Sequence, residues 1–552
     1  MGLSVTREAR MSVPSIDAVT LKAWLHDGAE VALFDVREAG EFGEGHLFLA
    51  TPVPYSRLEI DGVRLAPRRN VRLVVTDADG GALATLAARR LLDLGYENVH
   101  VLEGGNAAWQ AAGFSLFKGI NVPSKTFGEL AELAYDTPHI TAGELAAWQR
   151  EHKRHVLLDG RTVAEYRRMT IPGAVACPNG ELALRAHALI PDDDTPVVVN
   201  CAGRTRSIIG AQTLRNLGLP NPIYALENGT QGWQLHGLTL EHGADRCYPD
   251  TIDVSARRRA KETVAALSHR FAVSTVTAAA VQAERQRGAR TVFLLDLRTA
   301  DAFARGSLPG AAHAPGGQLL QATDQYVGVR GAWLIVFDDD GIRAPVIASW
   351  LHQMGHDAVV LEGGLSEANA AALATDDAQW QPAPPVGIDA GTLRNAFAHG
   401  EAVLFDLRSS AAYRTAHIPG ARWATRRQLR DVHDVRGAHV VLVDDEVSVS
   451  ALAAVDLREQ GAVSVRRLEG GVAAWHAAGY PLEATPALPT EAERIDYLFF
   501  VHDRHDGNLD AARGYLAWEI GLVAQLDAQE RALFALGSPD ALANEPAEVV
   551  TQ

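Results

Sequence analysis

Along the chain, apolar runs of four or five residues alternate with stretches whose apolar positions recur three and four apart. "LVVTD" (73–77), "VVVNC" (197–201), "LIVFD" (334–338) and "VVLVD" (440–444) are such runs, each leading into helical spacing. A short apolar run without polar alternation suits a strand buried on both faces, as in a parallel sheet. Strand and helix in regular alternation predict parallel strands covered by helices on both sides. In "VVVNCAGRTRSIIG" (197–210) the pattern predicts a strand over 197–199, a loop, an N-cap at Ser207 and a helix ending at Gly218. Cys201 then stands at a strand end facing a helix N-terminus, where free N–H groups and the helix dipole favour an anion.

The same pattern occurs four times. "VALFDVREAGEF" (31–42), "HVLLDGRTVAEY" (155–166), "TVFLLDLRTADAF" (291–303) and "AVLFDLRSSAAY" (402–413) each close an apolar strand with Asp-x-Arg. Fourteen residues after Asp159, Asp296 and Asp406 comes the glycine of Pro-Gly-Ala: Gly173, Gly310 and Gly420. The first copy reads "HLFLATP" there instead. "EGGNAAW", "ENGTQGW", "EGGLSEA" and "EGGVAAW" follow the four Asp positions at 68, 68, 66 and 63 residues. Four divergent copies of one α/β module account for this spacing. Linkers are predicted near 118–138, 244–272 and 376–388, the second helical around "ARRRAKETVAALSHRF" (256–271). From about residue 487 the tail reads as an amphipathic helical pair broken at "DGN" (506–508), expected to pack on the fourth module.

At 552 residues the chain exceeds what one core fills. The formal net charge of −17 repels nucleic-acid phosphates and anionic lipid, so neither nucleic acid nor a membrane is an expected partner. "SARRRAK" (255–261) reads as a solvated helix face. Three cysteines cannot form a disulfide framework, and the start of the chain lacks the apolar core of a signal peptide. The expected compartment is the reducing cytoplasm.

The strand-end Asp-x-Arg, "IPGA", the Cys-led loop opening a helix and the closing "EGG..AW" together resemble the rhodanese sulfurtransferases. The resemblance implies an α/β fold of four tandem rhodanese-like modules, each a five-stranded parallel sheet sandwiched by helices, with a C-terminal helical extension. The expected domains are 1–118, 138–243, 272–376 and 386–486, followed by the extension over 487–552. It further implies a sulfane sulfur taken from a donor onto a cysteine and passed to a thiophilic acceptor. Asp77, Cys201 and Asp338 each stand 42 residues after their strand-end Asp, and Asp444 ends the matching strand of the fourth copy. An aspartate cannot carry a persulfide, so only the second copy is expected to be catalytic. The three aspartates are expected to brace their loops by accepting N–H bonds. No metal or other cofactor is implied.

A free thiol is only a few per cent ionised at neutral pH, so the nucleophile needs help. For Cys201 that help is expected from an anion cradle formed by Ala202, Gly203, Arg204, Thr205, Arg206 and Ser207, with both arginines near the sulfur. A donor's outer sulfur would move to Cys201, and an acceptor thiol or cyanide would then remove it. A phosphatase loop of the C-x5-R type would be one residue longer than Cys201–Arg206. Thiosulfate enzymes resembling this family carry an arginine where Glu165 stands, which favours a thiol persulfide such as that of glutathione at least equally with thiosulfate, and both ahead of mercaptopyruvate. Gly203 is third in the loop and Arg204 fourth, where such loops often have glycine. Cys177 reads as a small core residue; Cys247 reads as an incidental thiol or, alternatively, a relay. The tryptophans Trp109, Trp233 and Trp475 read as helix-to-core anchors. The expected partners are a small sulfur donor and a thiol acceptor, with a protein sulfur acceptor as the other option. The alternative function is a carrier or docking scaffold in a protein sulfur relay.

Overall fold

The computed structural model describes residues 13–374, 382–502, 504 and 507–536. The chain start, part of the Pro-rich linker and the last sixteen residues lie outside these. Four parallel sheets follow one another. In the second module the strand order is His139–Ile140, Ile223–Leu226, Val197–Asn200, Val156–Asp159, Val175–Ala176. The third and fourth modules repeat this order, and in the first Val31–Asp35 pairs with both Arg72–Thr76 and Thr51–Pro52. The central strands are buried, apart from the first residue in three of them, which is why they read as unbroken apolar runs.

Both recurrent motifs turn out to be braces. Arg161 Nε and Nη2 donate to the two Asp159 oxygens at 2.9 and 2.7 Å, and Nη2 also donates to the Met169 carbonyl at 2.6 Å. Arg37, Arg298 and Arg408 make the same fork onto Asp35, Asp296 and Asp406, and onto the carbonyls of Gly45, Gly306 and Ala416. A fully buried bidentate pair satisfies itself and fixes where the chain leaves the strand. In the "EGG" turns, residues 104, 228, 363 and 470 all take positive φ. The next glycine presses on the loop after the central strand. A Cβ at Gly229 would fall well inside van der Waals contact of the Cys201 carbonyl oxygen, which accepts the Thr230 N–H at 2.8 Å. Trp109, Trp233 and Trp475 are buried and donate to carbonyls six residues on, as anchors do.

The modules associate as first with fourth and second with third. Within the first pair the fully buried Arg426 meets Glu59 at 2.5 Å and Asp456 at 3.1 Å, and Tyr55 Oη donates to Asp456. Within the second pair Arg343 meets Glu181 at 2.8 Å, Trp350 Nε1 donates to Thr213 Oγ1, and Gly180 lies against Gly317. The tail corrects the expectation. Ile495 bonds back to Gly40 in the first-and-fourth unit, but the helix Leu509–Gly521 belongs to the second-and-third unit and packs on Gly229–Leu235. Among the described residues no helix is long and apolar enough to cross a membrane.

Candidate functional site

The site is assembled where Val197–Asn200 ends. The helix after it begins at Thr205, not near Ile208, and its N-cap is Arg204 in a right-handed conformation. Ser207 is therefore already helical, and its hydroxyl donates to Cys201 Sγ at 3.1 Å instead of capping. Cys201 is 2% exposed. No residue of the loop from 201 to 207 has positive φ. Gly203 stands in a tight place: a Cβ there would be 3.0 Å from Glu519 Oε2 and 3.4 Å from Gln231 Nε2.

Arg204 and Arg206 lie on this loop, but each is held by carboxylates. Arg206 forks onto Glu165 at 2.8 and 2.9 Å. Burial disfavours the Arg206 cation, yet Glu165, with a further contribution from Cys201, raises its pKa above the usual value. Burial likewise pushes the Glu165 carboxyl up, and Arg206 overrides this to hold it at about 2. Arg204 forks onto Glu129 at 2.8 and 3.0 Å and also bonds Glu132. Thus the two side chains expected to face the sulfur have carboxylate partners.

Those partners expose what the sequence reading missed. The stretch 118–138, expected as a linker, contains the helix Val122–Tyr135, which packs along Thr205–Asn216 with Gly128 under Thr205. It carries Lys125, Glu129 and Glu132 to the loop. The C-terminal helix brings Glu519, 2% exposed, whose Oε1 accepts from Thr205 Oγ1 at 2.8 Å and lies 3.6 Å from Lys125 Nζ. Lys125 also bonds Tyr515. A lone carboxylate inside the apolar "YLAWEIG" (515–521) was the available signal, since a buried charge needs a partner. Asn179 Nδ2 adds a bond to the Arg206 carbonyl at 2.8 Å. Cys177 is buried and burial pushes its thiol well up, while Cys247 is exposed and also raised, chiefly by partial desolvation.

The matching loops of the other modules are informative. Asp77 accepts the N–H groups of Asp79 (3.1 Å), Gly80 (2.5 Å) and Ala84 (2.9 Å). Asp338 accepts those of Asp340 (3.3 Å), Gly341 (2.6 Å), Arg343 (2.6 Å) and Ala344 (2.9 Å). In both, an anion is clasped by loop N–H groups, as expected. Asp444 departs from the expectation: its side chain pairs with Arg467 at 2.8 Å. Gly80 and Gly341 sit at the fourth loop position with positive φ, where the second module has Arg204.

Four parallel α/β modules in one chain, each with a loop and helix after its central strand and with an N–H nest in the first and third, define a family. The rhodanese-like domain model matches residues 17–112, 141–236, 277–371 and 389–478, and the chain belongs to that family. A solved structure of a thiosulfate sulfurtransferase from Pseudomonas aeruginosa superposes with a TM-score of 0.87 at 40% identity, covering 95% of this chain and 100% of that one. Curated tRNA uridine(34) hydroxylases from Burkholderia mallei and Burkholderia thailandensis are each 38% identical over 100 residues. That match covers 17% of this chain and about a third of the length of those enzymes.

Proposed function

We propose that the protein is a sulfurtransferase working through a persulfide on Cys201. The observation that carries this reading is the pair of clasped aspartates. An Asp oxygen lies two bonds beyond Cβ, as does the outer sulfur of a cysteine persulfide. The nest around Asp77 and Asp338 therefore suits the second atom of such a group, and in the second module that position falls to sulfur on Cys201. The similarity to a thiosulfate sulfurtransferase over nearly the whole chain supports the same class of reaction.

In the first step the Cys201 thiolate attacks the outer sulfur of a persulfide R–S–SH. The donor S–S bond breaks, RS⁻ leaves with the bonding pair, and Cys201 holds –S–SH. With thiosulfate the leaving group is sulfite. In the second step an acceptor thiolate takes the outer sulfur and Cys201 returns to thiolate. The loop N–H groups and the start of Thr205–Asn216 are placed to stabilise the anion at each stage. The small partners are a persulfide or thiosulfate donor and a thiol acceptor, and the three modules with aspartate serve as frame.

Intact-mass spectrometry after donor treatment tests the assignment. Wild type, Cys177→Ser and Cys247→Ser should gain sulfur, and Cys201→Ser should gain none and lose transfer. An adduct retained by Cys201→Ser overturns it. A carrier that works only inside a protein complex would load once, whereas the enzyme turns over with a small donor and thiol alone.

A further inference from the structure

The charges around the loop do not add up to an anion trap. Three cations, Lys125, Arg204 and Arg206, face four carboxylates, Glu129, Glu132, Glu165 and Glu519. Each cation is already paired. All three cations are mostly buried, and Glu165, 38% exposed at the side chain, is the most exposed of the four carboxylates, so the Arg206 pair meets water through Glu165. Glu165 is also fixed from behind. It is the third residue of Val163–Arg168, and its Oε2 accepts the N–H and hydroxyl of Thr162 in a capping box. Swinging away from Arg206 would therefore break the cap as well as the ion pair. An incoming dianion would have to compete with a carboxylate already seated on the arginine. A donor whose body is uncharged does not meet that competition.

We propose that Glu165 is a specificity-determining residue which, by holding Arg206, selects thiol persulfides over dianionic thiosulfate as the sulfur donor. This rests on the sulfur-transfer reading of Cys201. It is separable from that reading because it concerns the ratio between donors, not the existence of the adduct.

The test compares kcat/KM for thiosulfate and for 2-hydroxyethyl persulfide generated in solution, with one acceptor thiol, in wild type, Glu165→Gln and Glu165→Ala. Glutamine at this position keeps the capping geometry and removes the charge, so it guards against a folding defect in the alanine variant. Wild type should favour the persulfide. The thiosulfate-to-persulfide ratio should rise by about tenfold in Glu165→Gln, the scale of one released charge near a binding site. Equal or better use of thiosulfate by wild type, or a ratio unmoved in both variants, overturns the proposal. Mass spectra of the donor-treated proteins separate the two levels. Sulfur on Cys201 with an unmoved ratio removes the selectivity alone, whereas no sulfur on Cys201 from either donor removes the sulfur-transfer reading and the selectivity with it.

Discussion

Gly229 joins the closing helix to the loop that holds Cys201, and both its φ of 52° and its lack of a Cβ are required there. Alanine would be strained in the backbone and would also strike the Cys201 carbonyl. Gly229→Ala should cost about 2–4 kcal/mol, combining backbone strain with overpacking, and should displace the loop enough to slow sulfur loading of Cys201. Urea unfolding and the loading rate from intact mass check this; a variant within 1 kcal/mol of wild type that loads at the same rate would contradict it. At this scale the strand-end position of Cys201 was legible, because an apolar run that stops at a cysteine before a helix has few other readings. The partners of Arg204 and Arg206 were not. Glu129 and Glu132 lie more than seventy residues from Arg204 in sequence, and nothing local marks a carboxylate as the mate of a distant guanidinium.

The four loops are one element with different contents. Asp338 is clasped by four N–H groups, yet Asp339 and Asp340 follow it, and burial pushes the Asp340 carboxyl up to about 6. Arg343, the one arginine of this loop, forks onto Glu181 at 2.8 and 3.1 Å. A thiol placed at 338 would find N–H donors but also nearby carboxylates that oppose its ionisation. Asp338→Cys in a Cys201→Ser background should therefore show less than about a tenth of wild-type transfer, because the attacking species is the thiolate. Robust turnover of that double variant would mean that the N–H nest suffices and that the charges around it matter little. The start of the helix Thr205–Asn216 was predicted three residues late. Ser207 is a favoured capping residue, and local propensity cannot tell that its hydroxyl is engaged by a sulfur held six residues back.

On the scale of the whole molecule, chain order and spatial order diverge: the second and third modules form one unit, and the first and fourth the other. The chain also returns at its end, so that Leu509–Gly521 covers the loop of a module whose sequence finished some 270 residues earlier. Glu519, with Tyr515, ties it there. Glu519→Ala would leave Lys125 buried beside Tyr515 without its carboxylate and Thr205 without its acceptor. Removing one partner of a buried pair costs about 3 kcal/mol, and the second-and-third unit should lose stability on that scale. Hydrogen exchange across 201–216 and 509–521 should rise together in the variant; protection unchanged from wild type would show that the helix is held by its apolar face alone.

The amino-acid sequence by itself determined the four modules, their parallel sheets and the Asp-x-Arg and EGG turns. Each of these is set by contacts inside a single module, where strand partners stand as far apart in the chain as Ser15 and Val101, and burial on both faces of a strand leaves an apolar signature. It also singled out Cys201, by absence, since the same position in the other copies is aspartate. Tertiary structure alone decided which carboxylates sit on Arg204 and Arg206, which modules pair, and where the C-terminal helix lands. An amphipathic helix advertises that it has a face to bury, but the surface that receives it is chosen by charge and shape complementarity between segments far apart in the chain. Glu519 against Lys125 and Thr205 is a complementarity of that kind.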